Sequence, residues 1–144
     1  MGALFGVGSN NDTNGSGSRM SFYAFQSMPG ISKLGTYYGN GSTDGKFVYT
    51  GFKPAFVLLK RSTDGSNYWE IRDNKRVTNN PNNERLFPNR NDTKSVGEGV
   101  DFFNNGFKIR NSGSGSNAND KRYIYMAFAE QPLTTQYGTQ SNGE

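Results

Sequence analysis

Short runs of aromatic and β-branched residues alternate with clusters of Gly, Asn, Asp and Ser along most of this chain. Such runs are typical of β-strands, and such clusters are typical of the turns that join them. No segment repeats its apolar residues with the period of about 3.6 that an amphipathic helix requires. Strands without helices bury their apolar sides by stacking sheets. The pattern therefore predicts an all-β fold, an antiparallel, jelly-roll-like β-sandwich with long Asn/Gly-rich loops.

The same pattern predicts eight strands. They cover residues 21–26, 34–38, 46–50, 55–61, 67–72, 99–103, 106–111 and 122–130. The Asn-Asn-Gly sequence at residues 104–106 predicts a tight hairpin, because Asn and Gly readily adopt positive φ angles. The last strand carries apolar or aromatic residues on both faces, so we expect a central strand that is covered on both sides.

A chain of 144 residues has the length of one domain. We expect a flexible arm at residues 1–19, because its Gly, Ser and Asn tract buries too little surface to offset the entropy of ordering. A single sandwich domain is predicted at residues 20–132 and a tail at 133–144. The apolar tip of the arm and the aromatic residues after it are surfaces that a partner could bind. The candidate assembly residues are Leu4, Phe5, Val7, Phe22 and Phe25.

One strand-like segment occurs twice. The sequence "FYAFQSMP" at residues 22–29 and the sequence "YMAFAEQP" at residues 125–132 share Ala, Phe and Pro at equivalent positions, and both begin with an aromatic residue. We predict that the first copy either pairs at a sheet edge beside the second or is donated to a neighbouring subunit.

The composition argues against several kinds of chemistry. The chain has no Cys and no His, which excludes thiolate and imidazole metal sites and most hydrolase triads. Its net charge of +4 comes from scattered Lys and Arg rather than from a basic stripe, so we expect no nucleic-acid binding. No apolar run is long enough to span a bilayer, and we expect no membrane insertion. We also expect no catalytic residue, no cofactor and no metal ligand.

The segment around the only Trp contains the residues that could bind a ligand. Alternation places Trp69 and Ile71 on one face, which we expect to be the core face, and it places Tyr68, Glu70 and Arg72 on the opposite face. The alternative role for Trp69 is an aromatic platform on which a sugar stacks. The candidate ligand face consists of Tyr68, Arg72 and Arg76. The Asn-rich stretch at residues 74–97 is either a binding loop or a meander, and we expect its Leu86–Phe87 pair to pack into the core.

Three blocks of the sequence resemble one known family. They are "GTYYGNGSTDGKFVYTGFKPAFVLLKR" at residues 35–61, "DFFNNGFKIR" at 101–110 and "YIYMAFAEQP" at 123–132. Together they resemble a domain of unassigned biochemical function that is widespread in tail-fibre-like and other virion proteins of marine tailed phages. The resemblance covers about residues 20–132. It implies a β-rich virion module and supplies no catalytic residues.

These observations predict a non-enzymatic structural protein exposed on the surface of a phage particle, as a head decoration, a knob or a short fibre component. We expect it to be made in the host cytoplasm, to be located in the virion, to contact other capsid or tail proteins and to form a homo-oligomer such as a trimer. The alternative is a carbohydrate-binding adhesin that recognises host glycans through the ligand face and the loops at residues 74–91. A third hypothesis is a polysaccharide hydrolase that pairs Glu70 with Asp73 or Asp101.

Overall fold

The computed structural model of the chain describes residues 6–64 and 67–132. Its strands form two antiparallel four-stranded sheets, which confirms the predicted all-β sandwich. One helical turn, α1, lies in the N-terminal arm at Asn11–Asn14. The strands are β1 at Ser32–Tyr38, β2 at Phe47–Tyr49, β3 at Pro54–Arg61, β4 at Glu70–Asp73, β5 at Asn82–Arg85, β6 at Ser95–Phe103, β7 at Gly106–Arg110 and β8 at Arg122–Ala129.

The strand order joins distant parts of the chain. The first sheet has the order β1-β8-β3-β4 and the second has the order β2-β7-β6-β5. The chain crosses between the sheets after β1, β2, β4 and β7. The first and last strands, β1 and β8, are neighbours in the first sheet. As predicted, β8 is a central strand, paired with β1 on one side and with β3 on the other. The predicted hairpin at residues 104–106 joins β6 to β7.

The core lies between the inner faces of the two sheets and is built largely from aromatic rings. Phe107 of the second sheet meets Tyr125 and Tyr37 of the first sheet with ring centroids 5.6 and 6.4 Å apart. Tyr37 also stacks on Tyr123 at 5.1 Å. The Tyr125 side chain lies over Gly35, where an added Cβ would come within 2.8 Å of the phenol oxygen. Each fully buried side chain of this kind contributes roughly 1.5 to 3 kcal/mol.

Asn117 holds the loops at one end of the sandwich together. Its side chain is fully buried, and its Nδ2 donates to Asn40 Oδ1 at 2.8 Å, to the Ser42 carbonyl at 2.8 Å and to the Asn111 carbonyl at 2.7 Å. Its Oδ1 accepts from the Asn40 amide at 3.1 Å. One side chain therefore satisfies buried polar groups of two loops that are far apart in sequence.

One predicted strand is absent, and one strand of the structure was not predicted. Residues 21–26 form no strand, because in this part of the chain only Met28 makes a ladder contact, a single bridge to Ser32. Conversely, the polar sequence of β5 forms an edge strand against β6. Its Asn82 is buried and donates to the Asp73 and Val77 carbonyls, so hydrogen bonding rather than apolar burial secures it.

The predicted core position of the Leu86–Phe87 pair is also wrong. Leu86 bridges to Ile71 through the backbone, and its side chain is exposed. Phe87 lies at the surface against Tyr68, with ring centroids 5.7 Å apart. The core cluster between the sheets contains neither residue. In the described part of the chain, no helix is long and apolar enough to cross a membrane.

Candidate functional site

The outer face of the first sheet is apolar but only partly covered. Alternation along β3 and β8 sends Val57, Leu59, Tyr123 and Tyr125 into the core, and it sends the residues between them outward. Those outward side chains are also apolar, and they are half-buried rather than buried. They include Phe56, Leu58, Ile124, Met126 and Phe128. The expectation that β8 is covered on both faces is therefore wrong for its outer face, because the second sheet packs against the inner face.

A groove runs across this face. It has a volume of about 580 Å³, and its lining is almost entirely apolar. We call it the outer groove and define it by the residues Leu34, Thr36, Leu58, Trp69, Ile124 and Met126. The only Trp therefore lies outside the core, contrary to the prediction. Trp69 and Ile71 point to the outer face of β4, whereas Glu70 and Arg72 point inward.

The N-terminal arm begins beside this groove. Ser27 Oγ accepts from the Leu34 amide at 2.9 Å, which holds the arm to the free edge of β1. Phe25 packs edge-on against Phe128 at 6.0 Å and forms one end of the outer groove. From there the arm leaves the sheet, and Tyr23 is 88% exposed. The arm and the groove are thus two apolar surfaces in close proximity.

The predicted assembly residues do not form one site. Leu4 and Phe5 lie outside the described residues. Val7 and Phe22, 53% and 68% exposed, line the same cavity within the arm, which has a volume of about 510 Å³. Phe25, 52% exposed, belongs instead to the outer groove.

The predicted ligand face does not exist as proposed. Arg72 is fully buried inside the sandwich, opposite Val57 in the ladder. Tyr68 is exposed, and the Arg90 guanidinium lies 4.2 Å from the centre of its ring. Arg76 binds the carboxylate of Asp73, with Nε and Oδ2 separated by 2.5 Å. Alternation was correctly predicted from Trp69 to Arg72, but the two faces are reversed there, because period-two spacing does not reveal which face is inside. Tyr68, which precedes β4, is exposed as predicted.

A cluster of opposite charges makes the reversed arrangement possible. Arg72 Nη2 lies 3.0 Å from Glu70 Oε2, and Arg85 Nη1 lies 3.1 Å from Glu70 Oε1. Arg85 also pairs with Glu98, which is partly exposed. Burial raises the pKa of Glu70, and the two arginines oppose that rise. The side chains of this charge cluster neutralise one another, which is the condition under which charges are found in a protein interior.

The carboxylates of the hydrolase hypothesis are engaged in these and similar pairs. Glu70 is buried in the charge cluster, Asp73 binds Arg76, and Asp101 is buried with the Arg110 Nε atom 2.5 Å from its Oδ2. These three groups therefore do not line a common open cleft. Among residues 6–64 and 67–132, no group of three or more acidic side chains is placed to hold a metal ion.

A family model described as "Domain of unknown function (DUF7483)" matches residues 2–132. The chain belongs to this family. Neither the curated proteins nor the solved structures contain a match to it. The matched range includes almost the whole arm as well as both sheets, so the DUF7483 domain consists of the arm together with the sandwich.

The DUF7483 domain also has a polar cavity of about 290 Å³ at one end of the sandwich. Glu130 lies at its centre, with Oε2 2.7 Å from Lys53 Nζ and Oε1 accepting from Asn74 Nδ2 at 2.8 Å. The hydrogen bond from Lys53 lowers the pKa of Glu130, so this carboxylate is ionised at neutral pH. Lys75, Thr78 and Asn80 complete the polar lining. Asn74 Oδ1 is buried and has no hydrogen-bond partner among the described residues. Sequence reasoning did not single out this cavity, because its residues come from separate loops.

Proposed function

We propose that this DUF7483 protein is a non-enzymatic structural protein of a tailed-phage particle, exposed on the particle surface as a head decoration, a knob or a short fibre component. The observation that carries the proposal is the half-covered apolar outer face of the first sheet, next to an arm with exposed aromatic side chains. Extended exposed apolar surface marks interaction sites on soluble proteins. The sequence resemblance to phage virion domains supports the particle as the place where this surface is used.

Mass spectrometry of purified virions tests the proposal. The protein should be present at tens to hundreds of copies per particle, as expected for a symmetric structural component. Density of the size of the sandwich should then be found on the outside of the particle by cryo-EM. Absence of the protein from particles that have been purified free of host lysate would refute the structural role.

The polar cavity favours a second candidate function, recognition of host surface glycans. At about 290 Å³ it is at the small end of ligand pockets, which span roughly 300 to 1,000 Å³, and it suits a single sugar unit. Hydroxyl groups of a sugar would find a carboxylate acceptor at Glu130 and ammonium donors at Lys53 and Lys75. This cavity lies at the start of the loop region that sequence analysis connected with glycans.

A glycan array followed by calorimetry on the hits tests this second function. Glu130→Gln should weaken binding by about tenfold or more, because a hydrogen bond from a sugar hydroxyl to an ionised carboxylate contributes at least roughly 1.4 kcal/mol. Glu84→Gln is the matched control, since Glu84 also pairs with a lysine but lies on β5, away from the cavity. An array without hits, or equal affinities for the two variants, would exclude glycan binding at this site.

A further inference from the structure

The outer groove and the arm leave complementary surfaces open on the same chain. With Phe25 in place, the groove still has a volume of about 580 Å³. Met20, Phe22 and Tyr23, just before Phe25, are all substantially exposed. Residues 20–25, which we call the arm segment, carry no charged side chain, and neither do the six residues that define the groove. The two surfaces are therefore matched in chemistry.

The direction of the arm shows that it does not fill its own groove. Side chains two residues apart in an extended chain point the same way and lie about 7 Å apart. If the arm followed its own sheet, Tyr23 would therefore lie in the groove beside Phe25. Instead, Tyr23 is 88% exposed, while Phe25 contacts Phe128. The arm thus diverges from its own sheet immediately before Phe25.

We propose that the arm segment of one copy docks in the outer groove of a second copy of this chain. The inference rests on the proposed structural role and specifies how its subunits associate. Residues 20–24, which precede the anchored Phe25, can span roughly 17 Å when extended, which is enough to reach a subunit packed alongside. The bridge between Met28 and Ser32 fixes the base of the arm to the edge of β1. If the second copy, directly or through further copies, docks its own arm in the groove of the first, the assembly is closed and every arm and every groove is used.

The area involved suits a stable association. Phe25 keeps its contact with Phe128 of its own sheet, so the rings that dock are Phe22 and Tyr23, which are 68% and 88% exposed. Aromatic side chains bury roughly 150 to 250 Å² each, so the two rings offer about 300 Å² and the groove that receives them loses a similar area. Each copy, with one docked arm and one filled groove, then buries about 600 Å², which is the share of one partner at the low end of standard interfaces.

Sedimentation velocity and native mass spectrometry of the purified full-length protein provide the first test. Wild type should be oligomeric at micromolar concentration. Tyr23→Asp should weaken the association by about tenfold or more, because a charge replaces a ring in the apolar groove. Val96→Asp is the control, since Val96 is 64% exposed on β6 of the second sheet and lines neither the outer groove nor the cavity beside the base of the arm. A monomeric wild type, or an unchanged oligomer in Tyr23→Asp, would overturn the proposal.

Cross-linking distinguishes docking between copies from docking within one. The chain has no cysteine, so introduced thiols are unique. Ser21→Cys in the arm and Thr36→Cys in the groove, placed in separate chains and mixed under oxidising conditions, should form a mixed disulfide. Ser21→Cys mixed with Val96→Cys should not form one, because Val96 lies on β6 of the second sheet. If the double variant Ser21→Cys, Thr36→Cys forms only an intramolecular disulfide, the arm docks on its own sheet and the proposal is wrong. These experiments use purified protein and are independent of the virion analysis. Arm docking can therefore be refuted while the protein is still found in virions, and the protein can be absent from virions while the arm still docks.

Discussion

Arg72 is a charged side chain in the interior, and its position depends on Glu70. Removing one partner of a buried ion pair leaves the other charge without compensation, which costs about 3 to 5 kcal/mol. We expect Arg72→Met to lower the free energy of unfolding by about this amount, as measured by urea denaturation followed through Trp69 fluorescence. Arg122→Met is the control, because Arg122 is exposed and should cost less than about 1 kcal/mol. Equal effects of the two substitutions would contradict the burial of Arg72.

Asp73 makes the turn after β4 sensitive to pH. Partial burial raises its pKa, but hydrogen bonds from the Arg76 and Lys75 amides and from the Arg76 guanidinium outweigh that effect, and the net pKa is lowered. A lowered pKa in the folded state means that the stabilisation is complete above about pH 4 and is lost as the pH falls through the folded-state pKa.

We therefore expect Asp73→Asn to cost about 1 to 2 kcal/mol at pH 7, and the difference from wild type should shrink as the pH is lowered towards 3. Unfolding curves at stepwise pH values measure this difference. Asp12→Asn in helix α1 is the control, since Asp12 is exposed and should have little effect at any pH. A difference between Asp73→Asn and wild type that is independent of pH would disprove the assignment.

At the scale of elements, Asn117 holds the loop after β1 against the loop before β8. Asn117→Ala leaves the carbonyls of Ser42 and Asn111 and the amide of Asn40 without these partners, so we expect a loss of about 2 to 4 kcal/mol. Hydrogen exchange of the Asn40 amide should also accelerate. Asn119→Ala is the matched control, because Asn119 is exposed and its side chain bonds only Asp120. If exchange at Asn40 were the same in both variants, the loops would be held by other contacts.

At the scale of the whole molecule, the sandwich and the arm have separate roles. The core cluster contains no residue from the described part of the arm, so deleting residues 1–24 should change the thermal midpoint by only a few degrees, about 1 kcal/mol or less. The same deletion should abolish the association, since it removes all but one residue of the arm segment. Calorimetry and sedimentation on the truncated protein measure the two effects. A truncated chain with a thermal midpoint far below that of wild type, or one that still assembles normally, would show that the sandwich and the arm do not have separate roles.

Much of the fold was predictable because it depends on local sequence. Runs such as residues 55–61 and 122–130 are rich in apolar and aromatic residues and are bounded by turn residues, so their strands and the hairpin at 104–106 were identified. The polar β5 was missed because its stability comes from ladder pairing with β6 and from the hydrogen bonds of Asn82. Residues 21–26 have a strand-like sequence but no strand, because the arm leaves the free edge of β1 instead of pairing along it.

The candidate site was less predictable, and the reason is the same at each position. The sequence by itself determined an all-β chain, the alternation of side chains along each strand and the aromatic content of the arm. Only the tertiary structure decided that Arg72 and Glu70 point inward, that Trp69 points outward and that the outer face of β8 remains half-covered. Alternation has two solutions related by exchange of the faces. The choice between them depends on the sheet that packs opposite and on charges such as Arg85, which come from distant parts of the chain.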